Sequence, residues 1–195
     1  MNQTPLFSNI MCRWFWFGRE RGIKMFEIGT CIICGQHGVC RVAAIGPLKL
    51  YESSKEREYY TLNPIYSKGG VIYVPADSDK IVMREIISQK DAEKLIEEIR
   101  DMEGIFIENE KRRDDVFKKA LRTCDYKEWV RIIKTLYARK QRRLAQGKKV
   151  TASDERYLKA AEDSLYGELA IALEMTRRDV EKSIVERIIE KEKVV

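Results

Sequence analysis

Fifteen Lys and Arg side chains fall between residues 111 and 150, against the four acids Asp114, Asp115, Asp125 and Glu128. That segment carries a charge of +11, while the whole chain carries only +6. The chemistry such a run does best is neutralising phosphate, since each cation that meets a nucleic acid releases a condensed counterion. Its densest stretch, Tyr137-Ala-Arg-Lys-Gln-Arg-Arg143, also holds an aromatic ring. Cations grip phosphate, and a flat ring stacks on or wedges between bases. The competing reading is a solvated helix face with Tyr137 completing the core, its hydroxyl in water. The one-sided sign argues against mere solubility, which mixed charges serve as well.

A second group could bind metal: Cys31-x2-Cys34-Gly35-x-His37-Gly38-x-Cys40. Cys-x2-Cys is a zinc spacing. Ten residues make a tight loop for four tetrahedral ligands, however, and on a strand Cys31 and Cys34 point to opposite faces. Small buried thiols around a structural turn are the favoured reading, with no metal assigned. A Cys–His nucleophile pair lacks an orienting acid, because His37 is the only histidine and no carboxylate lies near it in sequence. Gly69-Gly70 fits a hairpin rather than a phosphate cradle. Asp114-Asp115 and Glu97-Glu98 are ordinary surface pairs. The chain is therefore expected to be no enzyme, with no cofactor and no small-molecule substrate.

Several elements must position the cationic segment. At 195 residues, 44% hydrophobic and 35% charged, the chain can build a packed core. No run of about 18 apolar residues appears, so no membrane partner is expected. Five cysteines, an odd number, suit reduced thiols in a cytoplasm, and a nucleic-acid partner would make the location nucleoid-associated. Residues 91–110 net −6 and residues 151–195 net −3, so acidic flanks bracket the basic block and orient it toward a polyanion.

Residues 1–24 stand apart, with the apolar Trp14-Phe-Trp-Phe17, too short to span a membrane and unlike a signal peptide. They are expected to be a non-native extension, with Met25 as the working start. Residues 25–88 read as a β module. The segments 31–34, 39–45, 59–62 and 71–74, with 81–83 as a fifth, are β-branched and aromatic and punctuated by Gly and Pro, which suggests a small barrel. Residues 89–195 read as a helical domain. Ser88/Asp91, Asn109, Asp125/Glu128, Thr151/Asp154 and Thr176/Asp179 mark helix starts, and Gly104 and Gly147 mark stops. The fold class is α+β.

On the third helix, Ile132, Ile133 and Leu136 fall within about 60° of Trp129, forming one apolar face. Lys127, Arg131, Lys134 and Arg142 lie opposite, and Tyr137 sits at the stripe's edge. Lys140 and Arg143 share the apolar azimuth, so the last turns should project beyond the core. The expected nucleic-acid contacts are Lys134, Tyr137, Arg139, Lys140, Arg142, Arg143, Lys148 and Lys149.

Met25-Phe-Glu-Ile-Gly-Thr, His37-Gly-Val, Glu58-Tyr-Tyr-Thr-Leu and Val74-Pro-Ala-Asp77, in that order, resemble the first module of the CarD/CdnL-like bacterial transcription regulators. Ile133-Lys-Thr-Leu-Tyr137-Ala-Arg139, Ser153-Asp-Glu and Leu165-Tyr-Gly-Glu168-Leu-Ala170 are similar to that family's helical domain, Gly-Glu-Leu-Ala being the most specific. The resemblance covers about residues 25–190. It implies a Tudor-like barrel that docks on the β subunit of RNA polymerase, placing Arg57, Tyr59, Tyr73, Val74 and Pro75 at the partner surface. It implies a helical domain that holds promoter DNA at the upstream edge of the bubble and stabilises the open complex, with little sequence specificity. Tyr137 stands where relatives commonly carry a Trp wedge, with Arg139 a basic family position beside it. Tyr73 stands where some carry Arg, and Cys34-Gly35 where the family usually has Tyr-Pro. The alternatives are a basic structural protein that binds RNA or ribosomes, and a metal-sensing adaptor built on the cysteines.

Overall fold

The turn signals of the first third and the caps of the rest yield a sheet followed by a bundle. The computed structural model describes residues 26–48, 57–66 and 70–192, so the expectation for residues 1–24 lies outside them. Five strands come first: β1 (Cys31–Cys34), β2 (Val39–Pro47), β3 (Glu58–Pro64), β4 (Ile72–Pro75) and β5 (Met83–Glu85). Five helices follow: α1 (Gln89–Glu98), α2 (Arg113–Arg122), α3 (Tyr126–Ala145), α4 (Ala152–Ala172) and α5 (Arg177–Glu192). None of them is long and apolar enough to cross a membrane.

The strands form one antiparallel sheet in the order β4-β3-β2-β1-β5. The α+β class holds, but the expected barrel is not closed. β4 and β5, of four and three residues, are the two edges and do not pair with each other. They are too short to wrap round and meet. The fifth strand also begins at Met83, two residues later than expected, because its partner β1 ends at Cys34, opposite Met83, where the turn Gly35–His37 begins. A bulge between Val42 and Ala44 bends β2 against β3.

Each face of β1 has its own core, as alternation requires. Ile32 and Cys34 join Cys40, Val42, Tyr60, Leu62, Val74 and Phe26 in a cluster over one face. Phe26 meets Tyr60 edge-on and donates its backbone N–H to the phenol at 3.1 Å. Ile33 and Val39 turn the other way and join Trp129, Leu136, Leu165 and Ile184 in the helical core. The sheet and bundle thus share one apolar seam.

Four of the helix starts are capped as read. Ser88, Asp125, Thr151 and Thr176 accept from the N–H groups of Asp91, Lys127, Asp154 and Asp179. Asn109 instead caps a short 3-10 turn, Glu110–Arg112, that leads into α2. Gly147, at φ 67°, ends the turn after α3. Gly104 has a different role from the expected one. α1 stops earlier, at Glu98, and Gly104 lets the chain pass close to α3, where a Cβ would lie 2.6 Å from Thr135 Oγ1. That hydroxyl accepts from the Ile105 N–H at 2.7 Å.

Candidate nucleic-acid interface and the junction behind it

α3 is amphipathic over its first three turns, burying Trp129, Val130, Ile132, Ile133 and Leu136. Beyond Lys140 its surface is mostly exposed, and the end projects past the core as the wheel required. The cations along it fall into two populations.

The first is tied to the protein. Lys134 donates to the carbonyls of Ile99 and Arg100 at 2.6 and 3.0 Å, closing the carboxyl end of α1. Arg139 meets Glu110 through both terminal nitrogens, at 2.7 and 3.0 Å, and reaches Asp154 through Nε at 3.1 Å. Asp154 is almost fully buried, and Arg113 approaches its other oxygen at 3.5 Å. The bond to Arg139 holds the Glu110 carboxyl below its usual range and raises the guanidinium further. Lys134 and Arg139, both expected on nucleic acid, are thus engaged with the fold. Local spacing could not show this, because the two carboxylates and two carbonyls that engage them come from residues 99–110 and 154.

The second population faces water. Arg142, Lys148 and Lys149 are exposed. Among the described residues Arg142 and Lys149 have no hydrogen-bond or ion-pair partner for their side chains, and Lys148 meets only the neutral Gln146 amide at 3.1 Å. Arg143, half-buried, uses Nε on the Lys149 carbonyl at 2.9 Å, which staples the loop. Lys140 is half-buried and among the described residues has no ion pair, though its charge acts on Glu162. Glu162 is nonetheless pushed up, by burial first and then by Glu181 and Asp163.

Tyr137 does not project as a wedge would. Its ring is half-buried against the bundle core. It lies near enough to Tyr166 to add to the upward shift of that buried phenol, which burial, Glu162 and Glu181 dominate. The stripe-edge position placed Tyr137 at the rim, and α4 covers much of that rim.

At the expected partner surface, Tyr73 is 44% exposed on the β4 edge. Arg57 pairs with Asp77 at 2.9 Å in water, and Tyr59 stands beside Pro75 across β3 and β4, both half-buried. Val74 is a correction. Its side chain is fully buried opposite Tyr60, because the pleat turns alternate residues of β4 inward.

The cysteines separate as the pleat dictates. Cys34 and Cys40 share a hydrogen bond inside the sheet core, and that bond with burial holds the Cys34 thiol protonated. Cys31 packs toward the helices, and His37 is exposed at the turn. Among the described residues no three such side chains are grouped to hold a metal.

The sequence reading missed the residue that locks the two modules. Arg84 of β5 forms a two-point bond with Glu168 of α4, at 2.5 and 2.8 Å, and donates Nε to the Cys124 carbonyl at 2.6 Å. Glu168 is fully buried and also accepts the Ile87 N–H at 2.7 Å. The guanidinium lies 5.6 Å from the ring centre of Tyr126 and 5.5 Å from that of Trp129. Cys124 aims its carbonyl there from a left-handed conformation, φ 55°, strained for a residue with a side chain. A signal existed: a glutamate within the apolar run Leu165 to Ala170 must find a cation if it is buried.

Residues 26–87, the sheet and its lead into α1, match the family model described as the CarD-like/TRCF RID domain. That module is CarD-like, an RNA polymerase-interacting domain of transcription-related function. The match ends at Ile87, before the bundle. No curated protein is similar enough to the chain to count as a match.

Proposed function

We propose that this chain is a non-enzymatic transcription factor that docks on the RNA polymerase β subunit and stabilises the promoter open complex. The β4 edge supports the docking: it is short, no described strand pairs with its outer side, and it carries the exposed Tyr73, so a partner's strand or loop can lie along it. The bundle then holds DNA at the upstream bubble edge through Lys140, Arg142, Arg143, Lys148 and Lys149. One observation carries the reading: these cations lie on the last turns of α3 and the loop after it, and among the described residues no carboxylate forms an ion pair with them. Lys134 and Arg139 act one step back, fixing α3 against α1 and α4. Tyr137 offers only the exposed rim of its ring and abuts the edge of the bubble rather than inserting fully. Contacts of this kind position without reading bases, so sequence preference is low. Tighter binding to the melted promoter than to the closed one slows its collapse, because a ligand shifts a two-state equilibrium by its differential affinity.

The experiment is a competitor-challenged open-complex lifetime with purified polymerase, together with capture of polymerase by the tagged chain. Wild type should capture the β subunit and lengthen the lifetime. Arg142→Ala with Lys149→Ala should keep capture and lose the lengthening. Capture of ribosomal proteins without polymerase would overturn the proposal in favour of an RNA-binding role.

A further inference from the structure

A cleft of about 640 Å³ lies between the sheet and the bundle. The turn Gly35–His37 forms one wall, α2 another, and the outer face of α4 a third. Three cations converge on it: Lys118 and Arg122 from α2, and Arg156 from α4. Lys118 and Arg122 are four residues apart, hence neighbours on one helix face. All three are exposed, and among the described residues none has a carboxylate within ion-pair distance. Arg156 lies 5.2 Å from the centre of the Tyr157 ring. The charge of Lys118 acts on Asp114, which Arg113 and Ser153 already engage. Asp163, the one acid of the lining, is held by Arg177 at 2.5 Å.

The apolar lining completes the character of the cleft. Tyr66 is 40% exposed, with Arg177 4.9 Å from its ring centre, so ring and guanidinium make one flat wall. That ring rests on α4 where Gly167 has no side chain; a Cβ there would stand 3.0 Å from it. Val39, Leu121 and the buried Tyr157 form the floor.

We propose that this cleft binds a phosphorylated small molecule with two or more adjoining phosphates, of the size and charge of a nucleoside diphosphate or triphosphate. The volume lies within the ~300–1,000 Å³ range of small-ligand sites. Three unneutralised cations match an oligophosphate, Arg by paired hydrogen bonds and Lys as a point charge. The flat wall accommodates the remainder of the ligand. Because the walls come from both modules, the ligand clamps the sheet turn to the bundle and raises the stability of the whole by mass action. The cleft is separate from the end of α3, and the inference does not depend on the DNA reading. No local motif announces it, since its cations and walls come from five separated stretches of the chain.

The test is calorimetric titration of the full chain with pyrophosphate, ATP and inorganic phosphate at physiological salt. The variants are Lys118→Ala with Arg122→Ala, and Arg142→Ala with Lys149→Ala as the comparison pair. Both pairs are on the surface, so the fold should persist, and circular dichroism checks that it does. ATP and pyrophosphate should bind more tightly than inorganic phosphate, and should weaken about tenfold or more in the cleft pair only. Absence of binding overturns the proposal, as does equal weakening in both pairs, which would indicate unspecific attraction. Loss of duplex DNA affinity in the cleft pair with no pyrophosphate binding also overturns it, making the cleft part of the DNA path.

Discussion

The junction between sheet and bundle and the free end of α3 both depend on arginine, and they treat it in opposite ways. Arg84 has every direction of its guanidinium answered: Glu168, two backbone carbonyls and two rings. Arg142, at the other extreme, has no partner within the described protein. The first arrangement suits a fixed geometry, because desolvated charge is tolerated only when fully paired. The second suits an external anion, because a cation kept in water is available to phosphate at little desolvation cost. α3 passes from one regime to the other within a single turn, between Arg139 and Arg142. A cation's type and local density therefore do not decide its role; the carboxylates that reach it do.

The largest effect should follow from breaking the closed end of this comparison. Arg84→Ala leaves Glu168 buried and unpaired, and should cost about 3–5 kcal/mol. Glu168→Gln should cost less, because an amide still accepts from the Ile87 N–H. Denaturant unfolding measures both, and a loss near zero for Arg84→Ala would show that the junction does not rely on the pair. Near the open end, a much smaller and pH-dependent effect should appear at Glu162. Burial, Glu181 and Asp163 raise its folded pKa, while Lys140 opposes them. A raised carboxyl favours the protonated folded state, so its contribution is full below the unfolded pKa and is lost as pH rises through the folded one. Glu162→Gln removes that loss. It should be more stable than wild type at pH 7 by at most about 1 kcal/mol, with the advantage vanishing near pH 4. Melting curves at the two pH values check it, and an advantage that grows on acidification would reverse the sign.

Local chemistry was legible in the sequence. Ser88, Asp125, Thr151 and Thr176 cap their helices because a cap is a bond across two or three residues. Cys31 and Cys34 face apart because a strand's period is two. The projecting end of α3 followed from Lys140 and Arg143 occupying the apolar azimuth. Long-range pairing was not legible. Arg139 meets Glu110 and Asp154, and Arg84 meets Glu168, across separations of 15 to 84 residues. Closure of the sheet likewise depended on how far two short edge strands curl, which no periodicity reports. The Gly104 contact with Thr135 and the cover over Tyr137 are of the same kind.

The most direct measurement is the salt dependence of duplex DNA binding for Arg142→Ala with Lys149→Ala, set beside Arg139→Ala. Each lost phosphate contact flattens the slope of log K against log salt by about 0.9. The tip pair should flatten it by about two contacts while leaving stability near wild type. Arg139→Ala should leave the slope unchanged and cost about 1–3 kcal/mol of stability by freeing the buried Asp154 carboxylate. A slope unchanged by the tip pair, or flattened instead by Arg139→Ala, would contradict the division of α3 into a structural base and a DNA-gripping end.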